Sequence, residues 1–380
     1  MNTPKLRFKE FNDEWISQKL FQLVEFSKGN ILAKADLDET GNYPCILYGQ
    51  LYTKYNEVIR EIYSKTNRNE NNIPKSKKGD VLIPSSGETP IDISTSSCIQ
   101  IDNVLLGGDI NILRPISCDG RFLSYLINNN KKTEIAKVAQ GHSVVHLYND
   151  NLKQVSINIP SIQEQKRISD MLELLDKKIE LQSKKIEDLK LFKKGLILSL
   201  KKNSFDWHTV CIKDLFKITR GVVIPKNELS EFKNGEYKYP VYSSQTSNQG
   251  ILGYSDTFDF NGKYLTWTTD GANAGKVFYR NGKFRCTNIC GVLYEDNIKF
   301  TNELFAELLN YETPKHVSYV GNPKLMNNVM ADIKFKIPNG DVQENTSLII
   351  NTINNKVNLE KNKLLKFKEL KKGLMQNMFV

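Results

Sequence analysis

The strongest constraint on this chain is that its two halves repeat each other. The segment WISQKLFQLVEFSKG at 15–29 aligns without a gap on WHTVCIKDLFKITRG at 207–221. Farther along, Ile159-Pro160 and the KKGL of 193–196 recur at Ile337-Pro338 and 371–374, both with one common offset. Self-similarity at a fixed offset marks duplicated structural units. The repeat is far longer than a solenoid unit, so we expect two whole domains, each followed by a long helix.

The two halves share a mixed α+β pattern. In the first half, YPCILYG (43–49), GDVLIPSSG (79–87) and GGDINILRP (107–115) are β-prone runs bounded by turn residues, and 239–245, 262–271 and 288–294 echo them. Helical patches at 121–129 and 302–310 close each half. A chain of 380 residues is long enough for two such domains. The expected division is 1–160 and 204–339 for the globular domains, with helices at 161–203 and 340–380.

Both long helices carry the apolar seam of a coiled coil. Apolar side chains step by four and three residues, and polar ones interrupt the seam at equivalent places, Gln182 with Glu360 and Lys193 with Lys371. The seam residues assigned to the spacer helices are Ile168, Leu172, Leu175, Ile179, Ile186 and Leu189 in the first helix and Ile353, Val357, Leu364, Phe367 and Leu374 in the second. We expect the helices to pack antiparallel, with the globular halves at opposite ends of a rod. The alternative is that each stripe packs back on its own domain.

Composition limits the partners and the compartment. A net charge of +10 favours an acidic partner such as nucleic acid, although most of the excess falls in the two helices, so the globular halves would need local basic patches. The six cysteines form no CxxC pair and do not match between the halves, which indicates reduced thiols in a cytoplasmic protein. No run approaches the roughly 20 apolar residues that span a bilayer.

Signatures of catalysis are missing from the sequence. GANAGKV at 271–277 is one residue too short for a phosphate-binding loop and has Val277 where a Mg²⁺-binding hydroxyl would stand. His142 and His146 have metal-ligand spacing, but the second half has Asn322 and Met326 at the corresponding places. We therefore expect no catalytic residue, bound cofactor or metal in this chain.

Polar loops are the best candidates for contact with nucleic acid. Hydroxyl, amide and basic side chains suit both phosphate contact and the reading of base edges, and loops on a rigid scaffold commonly carry function. For any single residue the alternative is a solvated loop without a partner. The candidate DNA-contact residues are Lys75, Lys77, Lys78, Ser85, Ser86, His142, Ser143, Arg220, Lys226, Ser244, Gln245, Thr246, Asn248, Asn322 and Lys324.

The repeated Trp-to-Gly segments, the paired Ile-Pro signals and the two seams ending in KKGL together resemble the specificity subunit of type I restriction-modification systems. PKLRFKEFNDEW at 4–15 and the helix from EQKRI to KKGL are similar to firmicute members. The second helix departs from the pattern, because it begins NGDVQENTSLII where the first has SIQEQKRISDML with its basic pair.

The resemblance implies a non-catalytic subunit. Each half would be a target recognition domain that reads one part of a split double-stranded DNA sequence. The helices would set the unread gap and dock two adenine methyltransferase (M) subunits and, with them, ATP-driven restriction (R) subunits. S-adenosylmethionine, ATP and Mg²⁺ would then be bound by the partner subunits.

Two other hypotheses stay open from the sequence. One is an autonomous enzyme, such as a nuclease, which would show Mg²⁺-dependent activity by itself. The other is a coiled-coil scaffold, which would be either a DNA-binding scaffold or decoy without a restriction role, or a scaffold with no DNA role at all. A scaffold that does not bind DNA would lack the steep salt dependence of phosphate binding.

Overall fold

The computed structural model describes residues 3–68, 70–141, 144–202 and 207–380. They form two compact units: unit 1 consists of Met1–Ser183 with Lys363–Val380, and unit 2 of Lys184–Asn362. Each unit therefore contains one globular half together with parts of both long helices. The compact units do not coincide with consecutive segments of the chain, and the four-segment division made from the sequence stays a prediction.

Unit 1 is built on a five-stranded sheet. Its strands are β1 (Ile16–Lys19), β2 (Val24–Lys28), β3 (Tyr43–Ile46), β4 (Val58–Ile59), β5 (Ser64–Thr66), β6 (Val81–Pro84), β7 (Ser86–Gly87), β8 (Ser97–Ile99), β9 (Leu105–Leu106), β10 (Ile110–Pro115), β11 (Val145–His146) and β12 (Ser156–Ile159). The main sheet has the order β2-β10-β6-β8-β4, a smaller one β5-β3-β9, and β1-β12 and β7-β11 form pairs. The short helices are α1 (Tyr48–Thr53), α2 (Pro90–Ile93), α3 (Gly120–Leu126), α4 (Lys132–Val138) and α5 (Asn149–Lys153).

Unit 2 is built on a six-stranded sheet. The long helix α6 (Ile162–Lys202) precedes its strands β13 (His208–Cys211), β14 (Lys217–Arg220), β15 (Tyr239–Tyr242), β16 (Ile251–Ser255), β17 (Phe260–Thr268), β18 (Val277–Cys286), β19 (Cys290–Tyr294) and β20 (Lys334–Ile337). The sheet order is β14-β19-β17-β18-β15-β16, and β13 pairs with β20. The remaining helices are α7 (Ile212–Leu215), α8 (Glu303–Glu312), α9 (Asn327–Asp332) and the long α10 (Gly340–Met378).

The sequence repeat corresponds to equivalent strand pairs. In unit 1, β1 pairs antiparallel with β12 so that Ile16 faces Ile159, and in unit 2 β13 pairs with β20 so that His208 faces Ile337. The Ile-Pro signals are thus the ends of the strands that return to the start of each half. Next along the chain, β2 pairs with β10 and β14 with β19, again antiparallel. The two units therefore share the pairing of these strands, as the duplication predicts, although unit 1 divides most of its remaining strands between two sheets and unit 2 joins them in one.

The glycine that ends each repeated segment is required by close packing of two backbones. A Cβ on Gly29 would lie 1.9 Å from the carbonyl oxygen of Gly107, and a Cβ on Gly221 would lie 2.1 Å from that of Cys286. Both glycines also donate equivalent hydrogen bonds, Gly29 to Ile110 (2.8 Å) and Gly221 to Cys290 (3.1 Å). Because glycine alone lacks a Cβ, it is the residue that permits this approach.

The two long helices pack antiparallel. In unit 2, Lys185 of α6 contacts Glu360 of α10, and Lys193, farther along α6, contacts Asn354, which precedes Glu360 in α10. In unit 1 the beginning of α6 and the end of α10 contribute to one apolar core with the strands and with α3. This confirms the α+β fold with two pseudo-symmetric halves and an antiparallel coiled coil. The outer parts of both helices also complete the domain cores, so the two packing modes weighed from the sequence occur together.

The lysines in the seam join each helix to a globular half. In unit 1, the Nζ atom of Lys371 lies 2.6 Å from Asp176 of α6 and 3.0 Å from Glu57, which follows α1. In unit 2, the Nζ atom of Lys193 lies 2.6 Å from Glu307 of α8 and 2.9 Å from Asn354. Asp176 and Asn354 occupy equivalent positions in the repeat. These two lysines are therefore anchoring points at which three elements meet.

The cysteines are free thiols. Burial raises the pKa of Cys45 to about 11 and those of Cys98 and Cys118 to about 12, so these thiols stay protonated at neutral pH. Within the described part of the chain, no helix has the length and apolar character needed to cross a membrane.

Candidate nucleic-acid interface

Loops at one edge of the unit 2 sheet line a shallow, open cavity of about 490 Å³. Arg220 ends β14, Thr268 ends β17 and Cys290 begins β19, and the pairing of these strands places the three positions at the same edge. The residues that line this Arg220 cavity are Arg220, Ser244, Asp270, Gly271, Asn288, Ile289, Asn322, Lys324 and Met326. Four of the predicted DNA-contact residues, from one strand end and two separate loops, therefore meet here: Arg220, Ser244, Asn322 and Lys324.

Arg220 is held at the cavity by the loop that leads into α9. Its Nε donates a hydrogen bond of 2.8 Å to Oδ1 of Asn327, and its Nη2 lies 3.7 Å from Sδ of Met326. The side chain is half-buried, which restricts its rotamers. A guanidinium has five N–H donors, so further donors remain for a ligand.

An acidic group faces the same cavity. Asp270, which follows β17, lies 3.6 Å from Nζ of Lys324 and accepts a hydrogen bond of 2.7 Å from the hydroxyl of Thr269. The Lys324 ion pair is half-exposed and contributes little to stability. The cavity thus combines cationic donors, amides, a hydroxyl and one carboxylate acceptor, a set that suits a base edge better than it suits a phosphate alone.

The loop 243–250 lies between the Arg220 cavity and α10. Three consecutive residues have left-handed backbone conformations, Asn248 (φ 47°), Gln249 (φ 55°) and Gly250 (φ 87°), which are costly for the two that are not glycine. Gln245, a predicted contact residue, donates a hydrogen bond from its side-chain amide to the carbonyl oxygen of Ile251. The side-chain amide of Gln249 donates a hydrogen bond of 3.1 Å to Oδ1 of Asn358 in α10. Gln245 therefore shapes the loop, while Thr246 and Asn248 lie at its tip.

Unit 1 places a related cluster at the equivalent site. Lys28, at the end of β2, is the repeat counterpart of Arg220, and its Nζ lies 5.5 Å from the ring centroid of Tyr148. Tyr148 stacks on His146 at 6.1 Å, and Nδ1 of His146 lies 3.1 Å from the hydroxyl of Ser86. These four residues, Lys28, Ser86, His146 and Tyr148, form the Lys28 cluster. It offers a cation, an imidazole and an aromatic face, which suit phosphate contact and base stacking.

The structure separates the predicted residues of unit 1 from one another. Lys75, Lys77 and Lys78 precede β6 and are exposed, whereas Ser85 and Ser86 follow that strand and are buried. The basic turn and the serines thus lie at opposite ends of one extended strand. His142 and Ser143 lie outside the described residues. In unit 2, Lys226 is exposed on a short 3-10 helix and is not among the residues lining the Arg220 cavity.

Sequence reasoning missed several residues of both sites. Asn327 and Asp270 were not predicted, because their roles depend on which loops meet at the sheet edge. Lys28 and Tyr148 were also missed. The repeat itself carried the signal for Lys28, since the basic residue before the final glycine is matched in the two halves.

Across the described ranges, no group of three or more His, Cys, Asp or Glu side chains is arranged to hold a metal ion. His146, considered from the sequence as a metal ligand, instead bonds Ser86 and stacks on Tyr148.

Comparison with known proteins identifies relatives of both halves. A family model described as "Type I restriction modification DNA specificity domain" matches residues 12–191 and 205–369. A sequence from Mycoplasma pneumoniae, described as the N-terminus of a candidate type I specificity subunit, is 43% identical over 145 residues, which are 38% of this chain and 76% of the relative. The specificity subunit of the type I restriction enzyme MpnII from the same organism is 41% identical over 145 residues, which are 38% of this chain and 43% of the relative.

The fold also matches a solved structure over the whole chain. The crystal structure of a type I restriction-modification system S subunit from M. genitalium has a TM-score of 0.76 and covers 100% of this chain and 99% of that one. The sequence identity is 17%, so this match concerns the fold alone.

Proposed function

The chain belongs to the type I restriction modification DNA specificity family, and from this premise we propose that it reads a bipartite double-stranded DNA target and directs adenine methylation and ATP-dependent restriction by partner subunits. Unit 1 would bind one part of the target and unit 2 the other, across an unread gap. In this proposal the chain is not itself catalytic. S-adenosylmethionine, ATP and Mg²⁺ would belong to the M and R subunits, and the complex would act in the cytoplasm.

The observation that carries the proposal is the pair of equivalent loop sites. Each unit presents a basic residue at the end of the same strand, Lys28 in β2 and Arg220 in β14, facing the loop that precedes the returning strand. Polar and basic side chains on loops held by a rigid sheet are suited to base and phosphate contact. Two such sites in one chain are suited to two DNA segments.

The surfaces of the two long helices support partner docking. Leu181 and Phe192 of α6 and their repeat counterparts Leu359 and Leu370 of α10 are all more than half exposed, at 57%, 62%, 54% and 52%. Leu181 and Leu370 belong to unit 1, and Phe192 and Leu359 belong to unit 2, so each unit presents two of these side chains. In this proposal the exposed apolar side chains of each unit would contact a partner subunit. The duplication provides equivalent surfaces for two copies of one M subunit.

Glycines in the KKGL motifs provide a test of this docking surface. A Cβ on Gly195 or Gly373 would meet nothing within 4 Å, although both lie inside long helices where glycine costs roughly 0.5–1 kcal/mol relative to alanine. We expect Gly195→Ala and Gly373→Ala each to raise the free energy of unfolding of the isolated chain by about 0.5–1 kcal/mol. We also expect both to weaken binding of the M subunit, because the open space would be where its backbone approaches.

Urea denaturation of the free chain and titration with the M subunit measure the two effects separately. Gly235→Ala, in an exposed loop where a Cβ also meets nothing, is the matched control and should leave M-subunit binding unchanged. Increased stability together with wild-type M-subunit affinity would argue against docking at these glycines.

The proposed function is tested by expressing the chain with the M subunit encoded beside it and sequencing host DNA for N6-methyladenine. We expect methylation at a split motif with a fixed gap, and none from either subunit alone. A soluble complex without new methylation would favour a decoy or scaffold. Methylation, or Mg²⁺-dependent cleavage, by the purified chain alone would instead indicate an autonomous enzyme.

A further inference from the structure

Ion pairing divides the arginines of this chain into two groups. The chain has nine arginines, and six of them lie in unit 1. Each of those six has a carboxylate oxygen within 4.0 Å: the pairs are Arg7 with Glu164, Arg60 with Glu173, Arg68 with Asp36 and Glu70, Arg114 with Asp80, Arg121 with Asp119, Asp170 and Glu173, and Arg167 with Glu10. In unit 2, Arg285 pairs with Glu228 and Asp259. Over residues 3–68, 70–141, 144–202 and 207–380, Arg220 and Arg280 have no such partner.

Of these two, only Arg220 is available to a ligand. The guanidinium of Arg280 is 3.5 Å from the ring centroid of Tyr242 and 4.5 Å from that of Phe278, and its Nε donates to the hydroxyl of Thr266. Arg280 is 5% exposed and belongs to the interior of the unit 2 sheet. Arg220, in contrast, lines the 490 Å³ cavity.

The contacts of Arg220 leave some of its guanidinium N–H donors free. Asn327 accepts the hydrogen bond from Nε at 2.8 Å, and Nη2 is near the sulfur of Met326, a weak acceptor. With Nε fixed, the terminal amino groups can form two parallel hydrogen bonds. Guanine presents O6 and N7 as two acceptors side by side in the major groove, and arginine pairs with them bidentately.

The same cavity also contains a hydrogen-bond acceptor, which complements the donors of Arg220. The carboxylate of Asp270 is an acceptor, and it is held by Thr269 and Lys324. Asp and Glu accept from the N4 amino group of cytosine, the donor that a G·C pair adds to the two acceptors of guanine. The cavity therefore matches the major-groove pattern of a G·C pair more completely than that of an A·T pair.

We propose that Arg220 reads a guanine in the part of the DNA target bound by unit 2, with Asn327 as its positioning residue. This inference rests on the proposed function. Unit 1 has no equivalent of Arg220. The residue at the corresponding place in unit 1 is Lys28, which lies over the ring of Tyr148, and each arginine of unit 1 is ion-paired. Lysine is a point donor without the planar fork. The two parts of the target are therefore read by different side-chain chemistry.

The test uses the complete complex with the M subunit and the target found by methylation sequencing. DNA affinity is measured for duplexes carrying each of the four base pairs at every position of the target, for wild type, Arg220→Lys, Asn327→Ala and Arg68→Lys. We expect wild type to prefer G·C at one position by about tenfold or more, in line with a bidentate pair. Arg220→Lys should abolish most of that preference and leave the other positions unchanged, and Asn327→Ala should reduce it less. Arg68→Lys makes the same substitution at an ion-paired surface arginine and should change nothing.

Three results would overturn the inference. Preferences that stay as in wild type after Arg220→Lys would exclude base reading by Arg220. A uniform loss of affinity for all sequences, without a change in relative base preference, would instead identify a phosphate contact; because lysine keeps the positive charge, the salt slope would then stay close to that of wild type. A wild-type complex that methylates no split motif would contradict the proposed function itself. Unchanged preferences elsewhere in the target serve as the folding control for both variants.

Discussion

Replacing Lys371 by methionine should lower the free energy of unfolding of unit 1 by about 3–5 kcal/mol, the cost of removing one partner from a buried ion pair. The Lys371 side chain is 18% exposed, and it lies between Glu57 and Asp176, which are 18% and 28% exposed. Methionine preserves much of the packing volume but leaves two carboxylates without their cation. Because Lys371 joins α10 to α6 and to the globular part of unit 1, the loss affects all three elements.

The effect of Lys371→Met should also depend on pH. Burial raises the pKa of Asp176 above its ordinary value of 3.8 even with Lys371 beside it, and without Lys371 this pKa rises further. A carboxyl with a raised folded-state pKa binds its proton more tightly in the folded state, so its contribution to stability falls as pH rises through that pKa. The deficit of Lys371→Met should therefore shrink as pH is lowered from 7 toward 4.

Tryptophan fluorescence can report on unit 1 alone. Of the three tryptophans, Trp15 lies in unit 1, so urea denaturation in a Trp207→Phe, Trp267→Phe background follows that unit. Lys372→Met, on the exposed side of the same turn, is the control and should change stability by less than about 0.5 kcal/mol. If the two methionine variants unfolded alike, the contact of Lys371 with the carboxylates would not stabilise the unit.

The second large effect is expected when either repeated glycine gains a methyl group. Gly29→Ala and Gly221→Ala should each destabilise their unit by about 3 kcal/mol or more, at the upper end of overpacking costs. The new Cβ would lie 1.9 Å or 2.1 Å from a carbonyl oxygen of a neighbouring backbone segment, and a backbone cannot move aside as a flexible side chain can. The backbone at Gly29 or Gly221 would have to move away from residues 106–107 or 286–287, and this would disturb the hydrogen bonds that the two glycines donate to Ile110 and Cys290.

The matched control is Gly49→Ala in α1. A Cβ there would have its nearest neighbour at 3.6 Å, an ordinary contact, and glycine in a helix is less stable than alanine. Thermal unfolding should give a lower midpoint for the two strand-end variants and an equal or higher one for Gly49→Ala. Equal midpoints for all three would mean that the close approach is relieved at little cost.

Much of the fold follows from the duplication in the sequence. The Trp-to-Gly segments, the Ile-Pro strands and the seams with a lysine at equivalent places predicted two similar α+β halves with antiparallel helices, and these features are confirmed. Such signals are local or periodic, so they can be read without knowing which distant segments meet. The same signals did not indicate that Lys193 and Lys371 pair with acidic residues of the globular halves.

The candidate sites were less accessible to this reasoning. The sequence by itself determined which loops are polar and that a basic residue precedes each repeated glycine. Only the tertiary structure decided that Arg220, Asp270 and Asn327 meet at one sheet edge, that Ser85 and Ser86 are buried, and that Lys75, Lys77 and Lys78 lie at the other end of β6. The reason is physical: a side chain's free donors depend on the partners that folding brings from distant loops, and periodicity in the sequence carries no information about those partners.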